Sequence, residues 1–229
     1  MGLLDKAMTA ASGTFAGAVA PSATTPAILL PEWKNDRKIV LKDPAPESLE
    51  ELKAAVDVSD PGSITGYWVY AVMALTADFE IGMSMMKYLY ADLEPFGRGF
   101  TEGGNNGKAG WEQFFNDRLK DDNYRWLPRA YFDGSVADNG FHPPVPMSVS
   151  LHYNAPNTEA LNSQSFEQLG RLNIVYTIKS NAAGNQVNVE LSRFDGSDRW
   201  YVTKGTASTG LFYDQRAGLT AVAKAKLYS

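Results

Sequence analysis

The spacing of apolar side chains along the chain changes near its middle. In the first half, apolar residues recur at the i, i+3, i+4 spacing that is typical of helices. In the second half, apolar and polar residues alternate, and alternation places one set of side chains on the buried face of a strand. We therefore predict an α+β fold, in which N-terminal helices pack on a C-terminal antiparallel β-sheet with the order of a meander.

The helical half contains signals for where helices begin. Ser48 is suited to cap a helix, because Glu51 follows it at the spacing of a capping box. Asp78 is suited to cap another helix. Apolar residues cover nearly every side of residues 67–75, which indicates a central helix, and the step Asp60-Pro61-Gly62 is typical of a turn. The predicted helices cover residues 49–56, 67–75, 79–93 and 111–122.

Alternating segments predict the strands. One short strand is predicted before the helices, at residues 37–42, and the others follow them. Turn signals at residues 181–185 and 195–196 separate two pairs of strands. The alternating segments of the second half are 147–151, 172–178, 187–191, 200–202 and 211–213. Such an antiparallel sheet commonly has one face in water, while its apolar face needs the helices as a cover.

The domain organisation follows from the distribution of small residues. Residues 1–31 are rich in Ala, Ser, Thr and Pro and predict a flexible tail. Residues 32–229 then form a single α+β domain, with a helical part at about 47–122 and a sheet part at about 124–229. A glycine-rich loop at 96–110 interrupts the helical part, and its composition predicts flexibility.

Charge and composition exclude several classes of protein. The net charge of −5 lacks the basic excess that displaces counterions from phosphates, so nucleic acid is not a predicted partner. The chain has no cysteine, which excludes disulfides and thiolate chemistry. The most apolar segment, 67–77, is about half the length of a membrane-spanning helix, so no transmembrane segment is predicted. Because the N-terminus lacks an unbroken apolar run, we predict a cytoplasmic protein, with secretion as the alternative.

Motifs for cofactors, metals and catalysis are incomplete. A P-loop would need glycine where Glu102 stands and a hydroxyl residue where Ala109 stands. The two histidines, His142 and His152, lack the spacing of metal ligands. Ser135 precedes His142 by seven residues, but not within the Gly-x-Ser-x-Gly turn of a nucleophile. We therefore assign no cofactor, no metal site and no catalytic residue, and we favour a protein that is not an enzyme.

The segment 126–146, called the aromatic segment below, is the best candidate for a binding site. Aromatic and arginine side chains dominate interaction hot spots, and this segment is rich in both. The alternative is a structural corner, because large aromatics between a helix and a sheet commonly pack into the core. The candidate binding residues are Arg129, Tyr131, Phe132, Asp133, Phe141 and His142.

The same segment carries a resemblance to a protein family. The string LPRAYFDGSVADNGFHPPVPMSVSLHYN, the start MGLLDK and the later string VNVELSRFDGSDRWYVTK resemble an uncharacterised family of gut-associated Gram-positive bacteria. The resemblance covers about residues 47–216 and departs at Ala130, where the family tends to have Ser, and in the glycine-rich loop. It implies a cytoplasmic bacterial protein with a single α+β unit. It implies no activity and transfers no catalytic residue.

Two functions are compatible with these observations. In the first, the chain is a non-enzymatic interaction or accessory protein, and the aromatic segment presents or braces a surface for a protein partner through Arg129, Tyr131, Phe132 and Phe141. A homo-oligomer is equally compatible with it. In the alternative, the chain is a small-molecule or glycan-binding module, or an enzyme of unrecognised type, with a pocket between helices and sheet. The polar groups of that pocket would be Asp133, Asp138 and His142.

Overall fold

The chain has mixed α+β architecture. The computed structural model describes residues 29–90, 125–169, 171–182, 186–194 and 196–203, with side chains for all of them except 164–169. Short 3-10 turns are formed by Pro31–Lys34, Leu127–Tyr131 and Ala137–Asn139. The other elements, in chain order, are β1 (Arg37–Val40), α1 (Leu49–Ala55), α2 (Pro61–Ala74), α3 (Phe79–Leu89), β2 (Ser148–Tyr153), α4 (Ala155–Leu169), β3 (Arg171–Lys179), β4 (Gln186–Phe194) and β5 (Trp200–Val202).

The five strands form one antiparallel sheet in the order β1-β2-β3-β4-β5. The longest pairing joins β3 to β4 along their full lengths. The α+β class and the antiparallel sheet are therefore confirmed, but the simple order of helices first and strands second is not. Strand β1 lies where a short strand is predicted, at 37–42, but α4 is an unpredicted helix between β2 and β3.

Helix α2 lies in the middle of the core and contacts β1, β2 and β5. Every residue from Pro61 to Val72 is buried, so the buried helix begins before the predicted residues 67–75. The predicted turn at Asp60-Pro61-Gly62 is wrong, because Asp60 caps the helix and Pro61 occupies its first turn, where a proline needs no hydrogen bond. Gly62 and Gly66 allow the close approach to β1, since an added Cβ would lie 2.6 Å from Arg37 Nη1 and 2.8 Å from Ile39 Cγ2 respectively.

Ser48 and Asp78 cap α1 and α3 as the sequence predicts, but the Glu51 carboxylate bonds to the Glu47 amide and not to the Ser48 amide of a capping box. The Ser48 hydroxyl accepts a hydrogen bond from the Glu51 amide, and the Glu51 carboxylate accepts one from the Glu47 amide. The Asp78 carboxylate accepts one from the Ile81 amide at the start of α3. These caps fix the loop before α1 and the corner between α2 and α3, which together build the site described below.

Helix α4 was not predicted, because its sequence has no apolar stripe. Its polar side chains instead bond to the backbone of β3. Thr158 Oγ1 accepts from the Val175 amide, and Asn162 Oδ1 accepts from the Asn173 amide. Since α4 packs along β3, that strand is buried almost throughout, rather than having one face in water.

Some predictions lie outside the described residues. These are the glycine-rich loop 96–110, the helix 111–122, the strand 211–213 and nearly all of the tail 1–31. At the edge of the tail, Leu29 is buried and Pro31 begins a 3-10 turn, while the domain boundary itself stays a prediction. None of the helices in the described ranges has the length and apolar character needed to cross a membrane.

Candidate functional site

The aromatic segment begins as a buried corner. The rings of Trp126 and Phe141 stack with centroids 4.7 Å apart and an angle of 30° between their planes. Leu127 and Ala130 are buried with them in a small cluster separate from the main core. This stacking joins the start of the segment to Phe141 near its end, and it fixes the 3-10 turn that carries the next residues.

Two further aromatics of the segment anchor that turn in the main core. Tyr131 and Phe132 are at most 2% exposed. Asn181 ties the turn to the sheet, because its amide donates to the Ala130 carbonyl at 2.8 Å and its Nδ2 donates to the Phe132 carbonyl at 2.7 Å. With its neighbours held inward, Arg129 is the residue of this turn that is only half-buried.

Arg129 lines a pocket of about 400 Å³ between the loop before α1, the adjoining ends of α2 and α3, and the 3-10 turn. We call it the Arg129 pocket. Its position differs from the predicted one, since the pocket lies among helices rather than between helices and sheet. Most of its wall is apolar, and its polar groups are few. The lining residues are Pro46, Glu47, Tyr70, Met73, Ala74, Thr76, Ala77, Asp78, Ile81 and Arg129.

The Arg129 guanidinium has no hydrogen-bond or ion-pair partner among the described residues. Burial lowers its pKa from the usual value, and the nearby charge of Arg125 lowers it further. A guanidinium still stays protonated at neutral pH, because its ordinary pKa lies far above neutrality. Arg125 itself donates from Nη2 to the Thr76 carbonyl at 3.1 Å, at the end of α2. The pocket therefore contains a half-buried guanidinium that no carboxylate or carbonyl among the described residues contacts directly.

Two exposed carboxylates, called the acidic rim below, line the same pocket. Glu47 and Asp78 are exposed, and the Asp78 carboxylate also caps α3. Tyr70 also lines the pocket, and its hydroxyl donates to the Pro46 carbonyl at 2.5 Å. Burial raises the pKa of Tyr70, and the charges of Glu47 and Glu51 raise it further. Tyr70 therefore stays neutral at physiological pH and can accept a hydrogen bond from a ligand.

The remaining candidate residues lie elsewhere. Asp133 accepts a hydrogen bond from Ser148 Oγ at 2.9 Å and lies 3.7 Å from Lys38 Nζ. Asp138 and His142 are exposed, and neither they nor Asp133 line the Arg129 pocket. Of the six candidate binding residues, three are buried aromatics that brace the turn, and one, Arg129, reaches the pocket. Their role in binding stays a prediction.

Ser135 and the histidines form no accessible catalytic pair. Ser135 is fully buried, and its Oγ has no hydrogen-bond partner within the described part of the chain. A nucleophile must reach a substrate, which a fully buried hydroxyl does not. His152 lies on β2, where its Nδ1 is 2.9 Å from the Asp36 carboxylate. In the described ranges, no three His, Asp or Glu side chains are grouped to hold a metal ion.

Sequence reasoning missed most of the pocket. Tyr70 lies in a segment whose apolar character predicts a core helix, and Asp78 stands out only as a cap. Met73 is a candidate for lining an adaptable groove, but its helical spacing in an apolar segment favours core packing. Glu47 carries no signal at all. The pocket arises where three separate segments meet, and the spacing of residues along the chain does not predict such a meeting.

A family model described as a domain of unknown function, DUF6935, matches residues 44–217, which is more than half of the chain. This range nearly coincides with residues 47–216, on which the sequence resemblance rests. No curated protein and no solved structure matches. The matched range contains all the residues that line the Arg129 pocket.

Proposed function

The chain belongs to the DUF6935 family, a family of unknown function, and we propose that it is a non-enzymatic protein that binds a metabolite-sized molecule in the Arg129 pocket. The observation that carries the proposal is the unpaired guanidinium inside an apolar pocket of about 400 Å³. Small-molecule sites commonly have volumes of roughly 300–1,000 Å³, with apolar walls and a few polar groups that orient the ligand. The Arg129 pocket has these properties.

An unpaired, half-buried charge is costly to a folded protein, because burial removes part of its hydration. Structural arginines usually recover this cost through a carboxylate or carbonyl partner. Arg129 lacks such a partner among the described residues, although Arg125, four residues earlier, has one in the Thr76 carbonyl. This contrast supports a ligand-binding role for Arg129 rather than a structural one.

Binding without turnover is proposed because of the side chains that line the pocket. Among its described lining residues, the Asp78 carboxylate already caps α3 and the Tyr70 hydroxyl already donates to the Pro46 carbonyl, which favours structural roles for both groups. The proposal favours the small-molecule alternative over a protein partner that contacts exposed aromatics. Tyr131, Phe132 and Phe141 are at most 2% exposed, so they support a bracing role for the aromatic segment. A cytoplasmic setting in a gut-associated Gram-positive bacterium, which the resemblance implies, is kept as part of this proposal.

A variant that fills the pocket tests the proposal. Ala77 is exposed and lines the pocket, so Ala77→Trp places an indole in or across it. Ala160→Trp is a matched control on the exposed face of α4, away from the pocket. A library of metabolite-sized compounds is screened by thermal shift and by ligand-observed NMR. We expect compounds that bind the wild-type chain and Ala160→Trp but not Ala77→Trp. Binding that is the same in all three proteins would contradict the proposal.

A further inference from the structure

We propose that the ligand of the Arg129 pocket is an amphipathic molecule with a single carboxylate, which pairs with the Arg129 guanidinium while the apolar body lies against α2 and α3. This inference rests on the proposed function and names the chemical class of its ligand. It combines three properties of the pocket, which are one positive group, an acidic rim and apolar walls.

The positive group selects an anion of planar shape. A guanidinium presents parallel N–H donors that match the two oxygens of a carboxylate. The pair is stronger where water is partly excluded, and Arg129 is half-buried at the pocket wall. Arg125 adds a second positive charge close enough to lower the pKa of Arg129. Binding of an anion relieves that repulsion, whereas a neutral ligand leaves Arg129 uncompensated.

The acidic rim limits the anion to a single charge. Glu47 and Asp78 place two carboxylates on the pocket lining against one guanidinium. A phosphate dianion or a nucleotide would bring more negative charge than Arg129 can compensate, so a monocarboxylate fits better.

The apolar walls account for the rest of the ligand. Met73 and Ile81 project from α2 and α3, and Pro46 and Ala74 complete the apolar lining. Methionine is adaptable in shape, so the wall can accommodate aliphatic or aromatic bodies. The Tyr70 hydroxyl, already donating to the Pro46 carbonyl, offers an acceptor for a polar hydrogen of the ligand. The pocket therefore suits a fatty or aryl-alkyl acid of small size.

Matched probes on the full chain test the inference. The probes are 4-phenylbutanoate, its neutral amide 4-phenylbutanamide, and phenyl phosphate, and binding is measured by calorimetry or NMR titration. We expect the carboxylate to bind the wild-type chain about tenfold or more tightly than the amide, because charge-assisted hydrogen bonds are the strong ones. Arg129→Gln should remove this preference for the carboxylate while the affinity for the amide stays unchanged. Arg129→Lys should retain part of the preference. Thermal melting of each variant checks that it is folded.

The outcomes separate this inference from the proposed function. If the amide binds as tightly as the carboxylate, and Ala77→Trp abolishes both, the pocket binds ligands but the carboxylate assignment is wrong. If phenyl phosphate binds more tightly than 4-phenylbutanoate, the limit to a single charge is wrong. If no probe binds, the carboxylate inference is overturned, and the compound screen against Ala77→Trp decides the proposed function separately.

Discussion

Arg37 and Asp60 form a bidentate ion pair that ties the start of α2 to β1. Arg37 donates from Nη1 to Oδ1 at 2.5 Å and from Nη2 to Oδ2 at 2.8 Å. The same Asp60 carboxylate accepts from the Gly62 amide at 3.0 Å and so caps the helix. The Asp60 hydrogen bonds raise the pKa of Arg37 above its usual value. One carboxylate therefore serves both the cap and the contact between helix and sheet.

Asp60→Ala is expected to lower the free energy of unfolding by about 2–3 kcal/mol, because it removes the cap and leaves a partly buried Arg37 without its partner. Urea unfolding followed by circular dichroism measures the change. The control is Glu50→Ala, which removes an exposed ion pair with Lys53 and should cost at most about 0.5 kcal/mol. If the two variants lost the same stability, the double role of Asp60 would be wrong.

Gly82→Ala is expected to destabilise the chain, although alanine is the better helix former. An added Cβ would lie 2.5 Å from the Leu75 backbone nitrogen, which cannot move without shifting the end of α2. The gain in helix propensity is about 1 kcal/mol, and the overpacking should exceed it, for a net loss of about 1–2 kcal/mol. Ser84→Ala, in the same helix, should change the stability by less than about 0.5 kcal/mol. A Gly82→Ala variant more stable than wild type would contradict the close contact.

Stability should fall in alkali because of Tyr176. Burial raises its pKa from the usual 10.0 to about 12. Its hydroxyl donates to the Trp33 carbonyl at 2.9 Å, so the neutral form is the one that fits the core. Because the folded-state pKa is above the unfolded one, this contribution is fully present below pH 10 and is lost as the pH rises towards 12.

The test is urea unfolding at a series of pH values. Between the two pKa values, the folded state holds one proton that the unfolded state has lost. The free energy of unfolding should therefore fall by about 1.4 kcal/mol per pH unit from this group. Tyr176→Phe should have a shallower slope in this range. The slope will not vanish, since burial also raises the pKa of Tyr70 and of Tyr153. An unchanged slope in Tyr176→Phe would show that Tyr176 titrates as it does in the unfolded chain.

Local signals in the sequence predicted most of the elements. Alternation located the strands β2 to β5, and the caps Ser48 and Asp78 were correct, because both signals act within a few residues. The Asp60-Pro61-Gly62 step was misread, since the same residues that form turns also begin helices. Helix α4 was missed for a tertiary reason, which is that polar side chains bond it to β3 in place of an apolar face. The pocket was missed because its walls come from separate segments.

If Arg129 serves ligand binding, its unpaired charge should lower the stability of the folded chain. Arg129→Met keeps the length of the side chain and removes the unpaired charge, so the free energy of unfolding should stay equal or rise by up to about 1 kcal/mol. Arg125→Met is the matched control, because it removes a hydrogen bond to the Thr76 carbonyl and should lower the stability. Urea unfolding compares the two. A marked loss of stability in Arg129→Met would indicate a structural role and would weaken the proposed one.

Where α4 packs on β3, the Asn162 side chain bonds to the β3 backbone as a neighbouring strand would. Asn162 Oδ1 accepts from the Asn173 amide at 2.8 Å, and Asn162 Nδ2 donates to the Asn173 carbonyl at 2.9 Å. Asn162→Ala would leave both backbone groups of a buried residue without partners, which should cost about 2–3 kcal/mol. Asn157→Ala, at an exposed position of the same helix, should cost less than about 0.5 kcal/mol.

Hydrogen exchange locates the effect of Asn162→Ala. The Asn173 amide should exchange faster in this variant, while the amides of the β3–β4 pairing further along the strand keep their protection. If the Asn173 amide stayed equally protected, another group would have to hold it, and α4 would not act as a substitute strand.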